Sequence, residues 1–331
     1  MRVGRAGPQR AWLLPLVPLY WIGVAVKNLL YERGVLKAKR LARPVISVGS
    51  LSAGGAGKTP VVIALARLCE QHHRRVDGLS RGYGRRSAGE EQVEFNYFAS
   101  AARFGDEPVE MMRAGLHVFV GGDRYRAGAL AEATHEAYGH LLDDGFQHRR
   151  LARDLEIVLL TSKDVDDFLL PAGDLREPLS SLGRADVVVL REEEAEGLRS
   201  VVRAHSSAEI WVIRRELVFE EEFARPFVFC GIARPQGFLA MVREAGYTPA
   251  GTMLFADHHA YTEADLDRIV ENARAVEADG IYLTEKDAVK LPKEWVQRLQ
   301  MVGPVHAPYL RVSLMDTKAA MTRLLGVLGD E

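Results

Sequence analysis

The sequence predicts an α/β fold: a mostly parallel sheet flanked by helices, then a smaller C-terminal α/β unit, with an apolar helix ahead of both. Three observations predict it. Short apolar runs alternate with helix-length segments through the middle of the chain. A β-branched run starting at Val45 feeds a glycine-rich turn that opens into a helical pattern. The N-terminal arm is both greasy and basic. Strand–helix alternation is the pattern of a parallel sheet covered on both faces.

The arm comes first. Ala11 to Val26 carries no charge over sixteen residues; Arg2, Arg5 and Arg10 precede it, and Lys27, Arg33, Lys37, Lys39, Arg40 and Arg43 follow. A membrane-spanning helix needs about twenty apolar residues, and Pro15 and Pro18 are expected to disturb one. A secretory signal would need a small-x-small cleavage site, and no clear one follows. A helix buried against the body is the bland alternative. Trp12, Tyr20 and Trp21 with flanking cations favour attachment at a membrane surface.

Residues 1–43 hold nine Lys/Arg and one acid, whereas the whole chain of 331 residues has a net charge of −2. The body is therefore acidic, and the arm calls for an anionic partner. Nucleic acid is not the expected one, because a nucleic-acid binder leaves the acidic and imidazole loops described below unexplained. Composition is that of a folded protein of about two domains. Two cysteines, Cys69 and Cys230, give neither a disulfide framework nor a metal-ligand spacing.

Strands are expected at Val45–Val48, Val76–Leu79, Leu116–Val120, His140–Leu142, Glu156–Leu160 and Asp186–Leu190, with helices at Pro60–Glu70 and Asp123–Tyr138 between them. An acidic stretch at Glu192–Glu196 then interrupts the pattern. Further strands are expected at Glu209–Ile213, Phe227–Phe229, Thr252–Phe255 and Ile281–Leu283, and helices at Gln236–Ala245, Glu263–Ala278 and Thr317–Leu328. The expected organisation is a membrane-associating segment (1–43), a catalytic domain (44–214), a smaller α/β domain (215–305) and a segment packing back on the catalytic domain (306–331).

Val45-Ile-Ser-Val-Gly-Ser-Leu-Ser-Ala-Gly-Gly-Ala-Gly-Lys-Thr59 has the strand–loop–helix order of a phosphate-binding loop (P-loop). Glycines let backbone N–H groups converge on phosphate oxygens, and the helix N-terminus adds partial positive charge. Ser52, Ala53, Gly54, Gly55, Ala56, Gly57, Lys58 and Thr59 are the expected ATP-binding residues. Ser52 stands where the strict pattern wants glycine. Lys58 would bridge the terminal phosphates and the Thr59 hydroxyl would ligate Mg²⁺. Leu141-Leu-Asp-Asp144 adds a strand ending in acids suited to the same metal.

Further islands set charged or imidazole groups beside glycine or proline: Ser80–Arg86, Phe104–Pro108, Gly121–Arg124, Asp143–Arg150, Leu170–Pro178, Asp257–Tyr261 and Thr284–Lys290. In order and spacing, over about residues 12–291, they resemble the tetraacyldisaccharide 4'-kinase family of lipid A biosynthesis. Its loop resembles Ser52-Ala-Gly-Gly-Ala-Gly-Lys-Thr59, so Ser52 becomes expected. Ala233-Arg234-Pro235 and Asp174 depart locally from the family pattern.

The resemblance implies a P-loop kinase-like core. It implies transfer of the ATP γ-phosphoryl group to the 4'-hydroxyl of tetraacyldisaccharide 1-phosphate, giving lipid IVA, at the cytoplasmic face of the bacterial inner membrane. It implies Lys58 on the β- and γ-phosphates, Thr59, Asp143 and Asp144 as the metal-supporting set, and Asp106 as catalytic base paired with His258. Arg124, Gln147 and Arg176 match positions that grip the acceptor, and Tyr83, with Arg81, is expected near the site.

Plainer readings compete. Asp106 suits a helix N-cap before Glu107-Pro108. One of His258 and His259 suits a hydrogen-bonded loop. Arg176 can be salt-bridged to Glu177, and Thr284–Lys290 can be a capped helix start. A dimerising deviant-loop ATPase wants lysine where Ala53 stands, and a GTPase wants a lysine–aspartate spacing that Thr284-Glu-Lys-Asp287 lacks.

Overall fold

The computed structural model describes residues 10–53, 56–86, 88–94, 101–257 and 259–329. The main-sheet strands are β1 (Val45–Ser50), β2 (Val76–Ser80), β3 (Glu91–Gln92), β4 (Val118–Val120), β5 (Gly139–Asp143), β6 (Leu155–Leu159), β7 (Val187–Arg191) and β8 (Glu209–Val218). A second sheet uses β9 (Pro226–Cys230), β10 (Gly251–Leu254), β11 (Gly280–Tyr282) and β12 (Val305–His306); β13 (Tyr309–Leu314) then returns to the main sheet.

The main sheet runs in the order β13-β8-β7-β6-β1-β5-β2-β4-β3. β1 lies inside it, parallel to β5 on one side and β6 on the other. Among the described residues, only the pairings of the two edge strands of this sheet, β3 with β4 and β13 with β8, are antiparallel. All six residues of β1 are buried, which is why it reads as a continuous β-branched and small-residue run. The second sheet, ordered β10-β9-β11-β12, is wholly parallel.

Helices cover both faces. The chain contains α1 (Val17–Glu32), α2 (Lys58–Gln71), α3 (Ala101–Phe104), α4 (Asp106–Arg113), α5 (Arg124–Thr134) and α6 (Ser162–Asp166). It continues with α7 (Glu192–His205), α8 (Pro235–Glu244), α9 (Glu263–Ala275), α10 (Glu285–Ala288), α11 (Lys293–Leu299) and α12 (Thr317–Leu328). On one face, Ile46 and Val48 pack with Val62 and Leu65 of α2 and with Met321 and Leu324 of α12. On the other, Val158 and Val188 pack with Leu198 and Val202 of α7. The second sheet buries Phe227, Phe229 and Ile281 against Leu266, Ile269 and Ala273 of α9.

The six strands expected between residues 45 and 190 all form, each within two residues of its expected ends. Other elements differ from expectation. β8 runs on to Val218 rather than stopping at Ile213, because β13 pairs with it along that length. Glu192–Glu196, expected as an acidic stretch interrupting the pattern, opens α7, whose first turn suits acids. α5 stops at Thr134 rather than Tyr138, because His135 turns to extended backbone and sets its ring edge-on to Phe119. β13 falls in the segment 306–331, for which only the helix Thr317–Leu328 is expected; its alternating burial is that of an edge strand.

The arm is a short 3-10 turn, Ala11–Leu16, running into α1. Pro15 falls inside the 3-10 turn and Pro18 in the first turn of α1, where a missing N–H costs nothing, so neither breaks the run. Ala11–Glu32 is thereby 22 residues, long and apolar enough to cross a membrane by length and composition. Its polar side chains nevertheless grip the body along its length. Arg10 reaches Asp174 at 2.7 Å, Tyr20 the Arg176 carbonyl at 3.0 Å, Lys27 the Gln147 carbonyl at 2.9 Å and Asn28 Glu177 at 2.8 Å. Trp12, Leu16, Leu19, Trp21, Ile22, Val26 and Leu29 stay exposed, Trp12 at 80%.

Candidate active site

The carboxyl ends of β1 and β5 hold the site, as expected where a parallel sheet meets its connecting loops. The loop after β1 is tied down at both ends. Ala53 N–H donates to the Asp174 carbonyl at 2.8 Å and Arg176 N–H to the Leu51 carbonyl at 2.7 Å. The buried Arg191, at the end of β7, donates to the Ala56 carbonyl at 3.1 Å. Gly54 and Gly55 lie outside the described residues. Gly57 caps α2 in the left-handed region, and Lys58 and Thr59 open the helix, both buried.

Lys58 Nζ lies 3.4 Å from Ser50 Oγ and 3.3 Å from Asp144 Oδ1. Thr59 Oγ1 donates to Asp143 Oδ2 at 3.2 Å. Arg176 forks onto Asp144 at 2.8 and 2.6 Å. Its ion partner is thus Asp144, not the adjacent Glu177, which pairs instead with Arg184 at 3.0 Å. Gln147 Nε2 donates to the Ser50 carbonyl at 3.0 Å and to Glu177 at 3.2 Å. Lys58, Thr59, Asp143, Asp144, Gln147 and Arg176 are therefore one connected set.

The two acids diverge. Burial, then the nearby Glu107, push Asp143 up to about 7. Burial also works against the Asp144 charge, but Arg176 and Lys58 override it and hold that carboxyl well below the usual range. Asp143 Oδ1 is buried with no hydrogen-bond partner among the described residues. Asp144 also sits at φ 51°, a left-handed conformation uncommon for a residue with a Cβ.

Asp106 opens α4. The N-cap is Gly105, at φ 97°, so the capping reading of Asp106 fails by one residue. A Cβ on Gly105 would stand 2.9 Å from the Tyr83 carbonyl, so this backbone turn is pressed onto the Gly82–Gly84 loop. Asp106 Oδ2 lies 3.7 Å from Lys290 Nζ, and Glu107 Oε1 lies 3.3 Å from Lys286 Nζ, both lysines coming from the second sheet's side. His258 lies outside the described residues. His259 fits the structural reading: it bonds Asp265 at 2.9 Å and stacks on Phe255.

Arg124 opens α5 behind an Asp123 cap and is buried, with Nη1 on the Gly122 carbonyl at 2.8 Å. Burial and then Arg81 pull its guanidinium down to about 10. Burial and then Arg124 pull the nearby His148 down to about 4. Tyr83 is 68% exposed, its ring open to solvent beside the site. Sequence reasoning passed over Arg191, which carried no signal beyond its place at a strand's carboxyl end. It gave no role to Glu107, Lys286 or Lys290, although all three lie in islands it singled out.

A lysine and a hydroxyl at the head of a helix, backed by two acids at the carboxyl end of the neighbouring strand, define a P-loop phosphotransferase. A family model described as tetraacyldisaccharide-1-P 4'-kinase matches residues 9–328. The chain belongs to that family. A tetraacyldisaccharide 4'-kinase of Koribacter versatilis is 40% identical over 325 residues, covering 95% of this chain and 98% of that one. One from Aquifex aeolicus is 38% identical over 298 residues, covering 85% and 90%. A crystal structure of Aquifex aeolicus LpxK, described as the "apo" form in complex with ATP, superposes with a TM-score of 0.79 at 34% identity. It covers 97% of this chain and 99% of that chain.

Proposed function

We propose that this chain transfers the γ-phosphoryl group of ATP to the 4'-hydroxyl of tetraacyldisaccharide 1-phosphate, forming lipid IVA, while attached peripherally to the cytoplasmic face of the bacterial inner membrane. The observation that carries the reading is Lys58, buried between Ser50 and Asp144 beside the Thr59–Asp143 pair, in a chain of this family. Lys58 binds the β- and γ-phosphates, and the loop from Ser52 to Thr59 wraps them with N–H donors.

Mg²⁺ fits the donor set. A buried Asp143 oxygen lacks a hydrogen-bond partner among the described residues, and a hydroxyl stands beside that carboxylate. Thr59 and Asp143 would hold the ion, with Asp144 as the second acid of the supporting pair; Mg²⁺ commonly takes few protein ligands besides substrate phosphates. Bound there, it would neutralise charge on the phosphates.

Asp106 accepts the sugar hydroxyl proton, with His258 as its proposed partner. Arg124, Gln147, Arg176 and Tyr83 hold the acceptor. Supporting this, the positive charge of Arg81 bears on the buried Arg124, so two guanidinium groups share this part of the site, which suits a phosphorylated lipid. The contacts that hold α1 against the body at Arg10, Tyr20, Lys27 and Asn28 favour a helix lying on the bilayer over one crossing it.

The test is phosphorylation of the acceptor in detergent with labelled ATP. Acceptor-dependent product from wild type, and a loss of about 100-fold or more in Lys58→Ala and in Asp106→Asn, is expected. Hydrolysis indifferent to acceptor, or near-normal turnover by Lys58→Ala, would sink the reading.

A further inference from the structure

We propose that Lys290 and Lys286 are positioning residues, through which the second sheet's side of the molecule holds the proposed base Asp106 and its neighbour Glu107 in register with the phosphate site. The proposal rests on the reading of Asp106 given above.

Thr284–Lys290 is a capped helix start, as its plainer reading holds, but it is built around a buried acid. Thr284 Oγ1 accepts the Asp287 N–H at 3.2 Å and donates to Asp287 Oδ2 at 2.6 Å. The same Oδ2 accepts the Gly231 N–H at 3.0 Å. The remaining oxygen, Oδ1, accepts Lys290 Nζ at 3.2 Å. Asp287 is fully buried, so its geometry is set on every side. Lys290 is thereby staked down, and its ammonium lies 3.5 Å from the Gly231 carbonyl and 3.7 Å from Asp106 Oδ2. Its side chain is 11% exposed.

Lys286 stands one helical turn earlier, on the same face as Lys290. Its ammonium meets Glu107 at 3.3 Å across 179 residues of chain. Two consecutive acids at the head of α4 thus face two lysines at i, i+4 on and after α10. A single exposed pair would carry little meaning. Here two pairs are in register, one is largely buried, and one acid is the residue assigned to take the proton.

The same stake reaches a second loop. Gly231 bonds Asp287 and packs so closely on Ala256, His259 and Tyr261 that a Cβ there would stand 3.1 Å from His259 Cβ and 3.2 Å from the Tyr261 hydroxyl. Asp287 therefore holds Lys290 and the Gly231 backbone together. A carboxylate acting as base must point at the hydroxyl to within a fraction of an ångström, and small misplacement is costly.

The experiment measures steady-state kinetics with ATP varied at saturating acceptor, ATP binding by titration, and thermal melting, for Lys290→Met, Lys290→Arg, Asp106→Asn and the double Lys290→Met/Asp106→Asn. Lys290→Met should lower kcat about 10- to 100-fold with ATP KM and ATP affinity unchanged. Lys290→Arg should restore most of it. The double variant should be no slower than Asp106→Asn alone, since the two act as one unit. Independent, multiplying losses, or a Lys290→Met enzyme as fast as wild type beside a crippled Asp106→Asn, would overturn the clasp and leave the base in place. A near-normal Asp106→Asn would overturn the base and the clasp with it. If Lys290→Met does not fold, the more exposed pair decides: Lys286→Met should depress kcat without moving ATP KM, and should add nothing to Glu107→Gln. An additive loss there rejects the proposal.

Discussion

Glu110 sits one turn beyond Asp106 on α4, buried, with Oε2 lacking a hydrogen-bond partner among the described residues. Burial pushes its carboxyl from 4.5 up to about 8, against the pull of Lys286. The sign of its effect on stability follows. Below pH 4.5 the group is protonated in both folded and unfolded chains; between there and about 8 the unfolded chain gives up a proton that the fold retains. Stability therefore falls as pH rises through that window. Glu110→Gln should melt higher than wild type at about pH 8 and about equally at about pH 5, giving a flatter profile in thermal unfolding. Equal melting shifts at both pH values would show that Glu110 is not the source.

At this scale, legibility followed distance along the chain. Lys58 and Thr59 are readable because a strand, a loop and a helix head are contiguous. The Arg176 fork onto Asp144 spans 32 residues, and the Lys286–Glu107 pair spans 179; no local pattern carries either. Gly105 displaced Asp106 from the cap because only glycine meets the φ of 97° at that turn without strain.

Among elements, the turn after β5 rides directly on β1. A methyl on Gly49 would stand 2.5 Å from Phe146 Cβ and 2.7 Å from the Phe146 backbone nitrogen. Gly49→Ala must therefore push the 143–147 turn away from the loop that carries Lys58. A stability loss of about 1–3 kcal/mol is expected in denaturant titration, with turnover falling more than the melting temperature alone accounts for. A variant that keeps wild-type kinetics would show that the turn has room to yield. Strands buried on both faces were legible as apolar runs. β13 was not, because an edge strand of six half-exposed residues looks like any tail. Prolines misled in the arm, since their effect depends on whether they fall in the first turn or later.

Over the whole molecule, α1 presents its exposed apolar side chains outward while its polar contacts run to the segments that hold Asp144, Gln147 and Arg176. In the proposed function, this one helix joins a lipid-borne acceptor to the phosphate site. Replacing Trp12, Trp21 and Ile22 together with serine should sharply reduce co-sedimentation with anionic vesicles and slow turnover of vesicle-borne acceptor, with ATP affinity retained. Undiminished sedimentation would place the membrane contact elsewhere. The α/β class and the order of the islands were legible at this scale, because they need only the sequence of elements. Which strand closes the sheet was not.

That closing strand has a consequence for how the chain is made. β8 ends at Val218 and its edge partner begins at Tyr309, with the second sheet built in between. As the polypeptide leaves the ribosome, the nucleotide-binding half must wait with one flank open, and with the seat of Met321 and Leu324 unfilled, until residues 309–328 emerge. A chain stopped before Tyr309 would then lack the edge of a sheet whose β1 and β5 loops were already made.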